Sequence, residues 1–472
     1  MRGAQLTALV NAAPAGVNAA LALVDGLDDA LVAGLARPGE AQVAALGGLA
    51  AALAGTPLGD RVAEAVAKVT AGSPGDEHLA ALAGARTALL GAAHDALLAG
   101  ADAAGGRERA AQPAPAAGPL PAGAAAPLPA ARSWLTELAI IGWRGVNHDL
   151  VAAGGRPVEA ALAVPALRRL AVLLDGLAGE LAASCPVATM AAVPARRWAD
   201  LWARAVLLAQ ETTGVGDPSA AGVERVSGRL LVLGIDVHEH ATAVQVQAHG
   251  VLEPSGGGPA RLVRTAVAAT KVDTIVGPAL WRLLADHPVL LAALAERRGL
   301  EVTDLPLAGG DLWWRDGQAR AGEPADPFAT ARVLLPAALA APVPPLDRHP
   351  VAIAEPVLLE GYAVDTGDDG AVRFTVDGAS VAVAVDRLPT CGPLTPALVA
   401  ASTACLGLLR WDAGQWTVQP LAVQARVKRA TVAAHNGDWA QGPTDAKVAK
   451  AEAKAGDSVA VLRERAGRLL RR

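Results

Sequence analysis

Arg229-Leu-Leu-Val-Leu-Gly-Ile-Asp-Val237 is where the character of the chain changes. Upstream, alanine and leucine recur at helical spacing. Here a run rich in leucine and valine follows the turn-rich Gly214-Val-Gly-Asp-Pro-Ser219 and reads as a β-strand. Thr242 to Leu252 and Arg261 to Ala268 continue the theme, with Gln245, Gln247 and His249 alternating against Val244, Val246 and Ala248. That alternation predicts an antiparallel meander whose glutamine and His249 face is wet. The whole chain therefore reads as α+β: an N-terminal all-helical domain, a Pro/Ala linker, and a helical block followed by an antiparallel β-rich region.

Composition shifts divide the 472 residues into 1–105 (helical domain), 106–132 (Pro/Ala-rich linker), 133–215 (helical block), 216–345 (α+β region with the meander), 346–425 (β-rich subdomain) and 426–472 (basic C-terminal helical tail). In the first segment Pro14, Gly26, Pro38-Gly39, Pro57-Leu-Gly59 and Ser73-Pro-Gly75 punctuate five or six helices. Asp28-Asp29, Glu40, Asp60 and Asp76-Glu77 are expected near helix starts, where carboxylates meet the positive end of the dipole. The prolines between Ala110 and Ala131 favour extended geometry and mark a boundary. Farther on, Val357 to Leu388 holds three strands, with Asp377-Gly378 as a hairpin turn, enough for a small barrel or a second sheet. Pro396 to Leu408 is expected helical, burying Cys405, before a hairpin over Arg410 to Val418.

A formal charge of -5 gives no global attraction to nucleic acid or to an anionic membrane. Cys185, Cys391 and Cys405 lie far apart and form no Cys-x-x-Cys pair, so a reducing cytoplasm fits best. No signal peptide and no transmembrane helix are expected. The chain lacks Gly-x-Gly-x-x-Gly, Gly-x-Ser-x-Gly, His-Glu-x-x-His and a phosphate loop. Thr270-Lys-Val-Asp273 therefore does not make a GTPase, and no cofactor is implied.

Three sets of residues could carry function. On a straight strand Asp236, His238 and His240 share one face, a geometry that can begin a metal site; the competing reading is a polar hairpin turning at His238-Glu-His-Ala241. Trp198 and Trp202 share a helix face, and Trp313-Trp314 must point to opposite faces of a strand, so these four rings are candidates for packing or for an interaction surface. The tail gathers Lys447, Lys450, Lys454, Arg463, Arg465 and Arg468 into its strongly basic stretch.

Gly228-Arg-Leu-Leu-Val-Leu-Gly-Ile-Asp-Val-His-Glu-His240, with Val272-Asp-Thr-Ile-Val-Gly-Pro-Ala-Leu-Trp-Arg-Leu-Leu284, resembles proteins of GC-rich bacteria encoded beside SWIM zinc-finger proteins and MoxR-type AAA+ ATPases. The likeness extends over residues 195 to 430. It implies an accessory or adaptor role, with a MoxR-type AAA+ ATPase or a SWIM protein as partner, and carries over no catalytic residue. The alternatives are a metal-dependent hydrolase built on Asp236, His238 and His240, and nucleic-acid binding through the basic tail.

Overall fold

Alanine-rich helices bury little area each, so they must pack against several neighbours at once. In the computed structural model, which describes residues 1, 3–10, 14–112, 123, 125–210, 223–367, 370–427, 430–455, 459–461 and 464, they do so as a bundle. It comprises α1 (Gly3–Val10), α2 (Val17–Ala33), α3 (Glu40–Leu53), α4 (Gly59–Thr70), α5 (Asp76–Gly105), α6 (Leu128–Ile141), α7 (His148–Ala153), α8 (Gly155–Leu162), α9 (Arg168–Ser184) and α10 (Ala195–Leu208). One hydrophobic core runs through helices on both sides of the Pro/Ala stretch, from Leu27 and Leu82 to Leu135, Leu174 and Trp202. α5 is the longest helix, 30 residues or ~45 Å. Its first half lies in the bundle core; Ala93, Leu97, Ala101 and Ala104 in its second half pack on the β region.

Within the bundle, two expectations need correction. Gly26 does not break a helix; it lies inside α2, where an added Cβ would stand 2.9 Å from the Ala45 side chain, so the glycine permits close approach of α3. Asp28 is not a cap either. It is buried in mid-helix and accepts two hydrogen bonds from Arg86, at 2.7 and 3.1 Å. Glu40, Asp60, Asp76 and Glu77 do occupy first turns.

The start of the Pro/Ala stretch is tied down. Arg107 pairs with Glu355 at 2.6 Å, and Arg109 with Asp102 at 2.7 Å. Ala110 N–H donates to Ala340 O, and Ala340 N–H to Glu108 O. Residues 113–122 and 124 of the stretch lie outside the described residues, and α6 begins at Leu128.

The meander forms as expected from β1 (Glu224–Glu239), β2 (Ala243–Pro254) and β3 (Arg261–Thr270). The chain then crosses through α11 (Leu280–Leu283) and α12 (Pro288–Glu296) to β4 (Arg298–Ala308), antiparallel to the first part of β1. β5 (Asp311–Leu312) pairs antiparallel with β4 and parallel with β3, closing the ring β1-β2-β3-β5-β4-β1. β1 can serve two neighbours because register shifts after Val226 and Val232 bend it. β6 (Ala319–Pro324) extends β4 outside the ring, and α13 (Pro327–Leu334) leads onward, capped by the Asp326 carboxylate.

The second barrel repeats this plan. β7 (Glu355–Glu360) and β8 (Ala363–Thr366) are halves of one strand, bent at Gly361 with φ 69°. β9 (Val372–Val376) and β10 (Ala379–Val383) form the expected hairpin over Asp377-Gly378, both at positive φ. After α14 (Pro396–Ala400) come β11 (Ser402–Asp412), which pairs with β7, and β12 (Gln415–Val427), antiparallel to β11 and parallel to β10. With β7 and β8 counted as one, the order is again 1-2-3-5-4-1 with a helix between the third and fourth strands. This is the Greek-key order of OB-type barrels, a statement of topology that carries no function.

Pro396 to Leu408 is thus helical only as far as Ala400, and Cys405 lies in a strand. β11 is covered on both faces, and a continuous apolar run of that kind does not distinguish strand from buried helix. The barrels meet across a seam filled by Leu233, Leu406, Ala422 and Phe328 of α13. Beyond β12, β13 (Ala430–His435) adds to its edge, and Trp439 and Val459 pack on the first barrel beside α15 (Ala446–Ala455). Among the described residues, no helix is long and apolar enough to cross a membrane.

Candidate functional site

Asp236 sits where the two barrels press together. The register shift between Val232 and Gly234 makes Leu233, Gly234, Ile235 and Asp236 all buried, because the first barrel covers one face of β1 and the second the other. Gly234 is required there: a Cβ would approach that of Leu421 to 2.6 Å. The Asp236 carboxylate accepts from Gln419 Nε2 at 2.7 Å, from an Arg410 terminal nitrogen at 2.6 Å, and from His238 Nε2 at 3.0 Å. Arg410 Nε in turn donates to Gln419 Oε1. Burial alone would raise the Asp236 carboxyl, but His238, Arg410 and Gln419 outweigh it and hold the group well below the usual carboxylate range.

Asp236 and His238 are therefore brought together, whereas His240 is exposed at the turn, its backbone N–H donating to Ala243 O. Glu239 closes the hairpin against Lys271, whose Nζ lies 2.7 Å from the carboxylate and donates also to Ile275 O. Among the described residues, no cluster of three or more His, Cys, Asp and Glu side chains is arranged to hold a metal. Asp236 acts as a latch between barrels.

His249 corrects the wet-face expectation. It is 3% exposed, opposite Gly234, and its Nε2 has no hydrogen-bond partner. Gln245 on the same face is exposed and Gln247 half-buried, as the alternation predicts, so the second barrel covers only the His249 end of it. Burial, helped by Arg264 and Arg410, pushes its ring down to about 3, and burial pushes His435 down to about 4. An unfolded histidine titrates near ~6.5. Between that value and about 4, the unfolded chain takes up protons that the folded chain excludes, so stability falls as pH drops through this window. Urea unfolding at pH 7 and at pH 5 should differ by roughly 2–4 kcal/mol from these two rings; equal stabilities would mean that water reaches both.

Trp198 and Trp202 are buried in the bundle core and offer no surface to a partner. Trp198 meets Trp143 edge-on at 6.3 Å, and the Trp202 indole donates to Leu135 O. Trp313 and Trp314 are half-buried; Trp314 packs on the first barrel and donates to Asp316 at 2.8 Å. In the tail, Lys447, Lys450 and Lys454 form an exposed stripe on α15. Arg463, Arg465 and Arg468 lie outside the described residues. Burial pushes the Cys391 thiol up to about 12 and Cys405 higher still, so neither is a ready thiolate.

The feature that sequence reasoning missed is a cleft of about 780 Å³ between the bundle and the second barrel. α2 contributes Leu21 and Asp25, and α10 contributes Arg196, Arg197, Asp200 and Arg204. The segment before β7 supplies Leu346, Asp347, His349 and Val351, and the β11–β12 hairpin supplies Trp411 and Asp412. Its wall is a ladder of ion pairs. Asp25 pairs with Arg196, Arg196 with Asp28, Asp28 with Arg86, and Arg86 with Asp200. Asp200 continues to Arg204 at 2.6 Å, Arg204 to Asp347 at 3.8 Å, and Asp347 to Arg169 at 2.7 Å. The one local signal was Arg196, Asp200 and Arg204 at four-residue spacing, a charged stripe on the helix whose other face carries Trp198 and Trp202.

His349 lies half-buried in this cleft. Its Nδ1 accepts from Val351 N–H at 3.2 Å, which fixes the neutral tautomer with the proton on Nε2. Burial, then the positive charges of Arg86, Arg196 and Arg204, push it down to about 4 against the opposing effect of Asp200. The imidazole is neutral at pH 7 and presents an N–H donor.

Compared with family models, curated proteins and solved structures, the chain matches none. The reading of function accordingly rests on this geometry.

Proposed function

We propose that the protein is an accessory protein that holds a segment of a partner polypeptide in the cleft between the bundle and the second barrel. The cleft itself carries this reading. Its volume falls within the ~300–1,000 Å³ of typical binding pockets, and its walls come from two separate cores, a common setting for ligand sites. Leu21, Leu346 and Val351 supply apolar surface beside the ion-pair ladder, the mixture that polypeptide recognition uses. A MoxR-type AAA+ ATPase or a SWIM protein is the candidate partner that the sequence resemblance suggests. The Asp236 carboxylate, already engaged by three donors, serves better as structure than as a metal ligand.

Photo-crosslinking tests the reading. A crosslinking residue at Val351, 53% exposed at the cleft, is compared in cells with one at Val333, 71% exposed on α13 away from it. A polypeptide adduct formed from position 351 and absent from position 333 is the expected result. Equal adducts, or none from position 351, would remove the proposal.

A further inference from the structure

The orientation of α15 follows from what holds it down. Asp445 starts the helix, its carboxylate accepting from Lys447 N–H at 2.8 Å and from Val448 N–H at 3.0 Å. Val448 packs on the first barrel, and Glu452, one turn on, pairs with Arg282 of α11 at 3.3 Å. With that face inward, Lys447, Lys450 and Lys454 stand together on the opposite face, all exposed. Arg264, Arg297 and Arg410 of the barrels each meet a carboxylate, of Asp311, Asp438 and Asp236 respectively. The three lysines differ: among the described residues none of them has an ion-pair partner. Residues 446–472 hold eight basic and three acidic side chains in a chain whose formal charge is -5, so positive charge is concentrated in this part of the sequence.

The stripe suits one class of partner better than the others. Protein interfaces deplete lysine and rely on apolar anchors at their centre, but the exposed residues between these lysines are only Ala446, Ala451 and Ala453. A helix lying on a membrane buries its apolar face among the lipids, and here that face, with Val448, is held against the barrel. Single-stranded nucleic acid stacks its bases on aromatic rings, and α15 carries none. A duplex backbone asks for positive charge alone: ammonium groups on flexible stems meet phosphates without regard to base sequence. From Lys447 to Lys454 the helix rises ~10 Å, about the axial length of three phosphates along one strand. We infer that α15 lies along the phosphate backbone of a nucleic-acid duplex, one ammonium group to a phosphate, independent of sequence. That surface belongs to the first barrel and the cleft to the bundle and the second barrel, so the two can be occupied independently.

Fluorescence anisotropy of the 472-residue chain with two fluorescein-labelled DNA duplexes of unrelated sequence, each of about 20 base pairs, tests this between roughly 50 and 200 mM salt. The expected result is equal affinity for the two duplexes, falling as salt rises. The triple variant Lys447→Gln, Lys450→Gln, Lys454→Gln should bind about tenfold more weakly or worse, with a log-log salt slope shallower by about 3. The triple variant Lys447→Arg, Lys450→Arg, Lys454→Arg keeps the charge and should bind like the parent. All three side chains are exposed, so urea midpoints should be unchanged in both variants. No duplex binding at the lowest salt, a salt slope unchanged in the glutamine variant, or a tenfold preference for one duplex would each overturn the inference. So would tighter binding of a poly-glutamate chain or of phosphatidylserine vesicles than of the duplexes, which would reassign the stripe to an acidic protein or to a membrane.

Discussion

Arg410→Met is expected to destabilise the barrel pair by about 3–5 kcal/mol, because it leaves the 2%-exposed Asp236 with a buried charge stripped of its guanidinium partner. Gln419 and His238 would remain, but neither brings the fixed positive charge of a guanidinium, and Gln419 Oε1 would lose its own donor. The latch joins β1 of the first barrel to β11 and β12 of the second, so the loss should appear as separation of the barrels as well as a lower urea midpoint. Asp236→Leu in the same chain should recover much of the loss, since apolar groups of similar volume can replace a buried pair nearly without penalty. A double mutant no better than Arg410→Met would show that the damage comes from lost packing of the arginine stem and not from the stranded carboxylate.

Gly142→Ala should be comparably severe, by at least ~2 kcal/mol. After α6 the chain crosses the end of α2 backbone to backbone: Leu35 N–H donates to Ala139 O and Ala36 N–H to Ile140 O. A Cβ on Gly142 would stand 2.3 Å from Gly34 N and 2.5 Å from Gly34 Cα, and main-chain atoms cannot move aside as a side-chain end can. Its φ of 80° adds strain for any residue with a Cβ. Gly16→Ala is the control, since Gly16 has φ 87° and open space around it. Thermal unfolding of both variants separates the two effects. Similar losses would mean that positive φ accounts for everything and that the crossing can open.

What could be read from the sequence followed a physical division. The meander, the Asp377-Gly378 turn and the helix-rich first half rest on periodicity and on local turn chemistry, and these appear where the pattern places them. Barrel closure does not follow from such signals, because it depends on parallel pairing of β3 with β5 and of β10 with β12, elements that are not consecutive. His249 and Cys405 depart from their sequence pattern for one reason. Each lies on a strand whose second face is covered by distant chain, so the polar residue is buried and the apolar run imitates a helix. Asp28 looked like a cap because nothing local announces Arg86, 58 residues away. Of the cleft, only the charged stripe of Arg196, Asp200 and Arg204 is visible locally, since its walls are assembled from four separated segments.

α5 has a consequence for how the molecule comes apart. Its first half is held by the bundle and its second by the far barrel, without a proline or a cap between them. A break anywhere along those thirty residues would expose apolar surface at both ends, so neither end can fray alone without pulling on the other. The bundle and the second barrel should therefore melt as one cooperative unit, with the amides of α5 exchanging last. The cleft lies between the two bodies that this helix splints, and its width is consequently set before any ligand arrives.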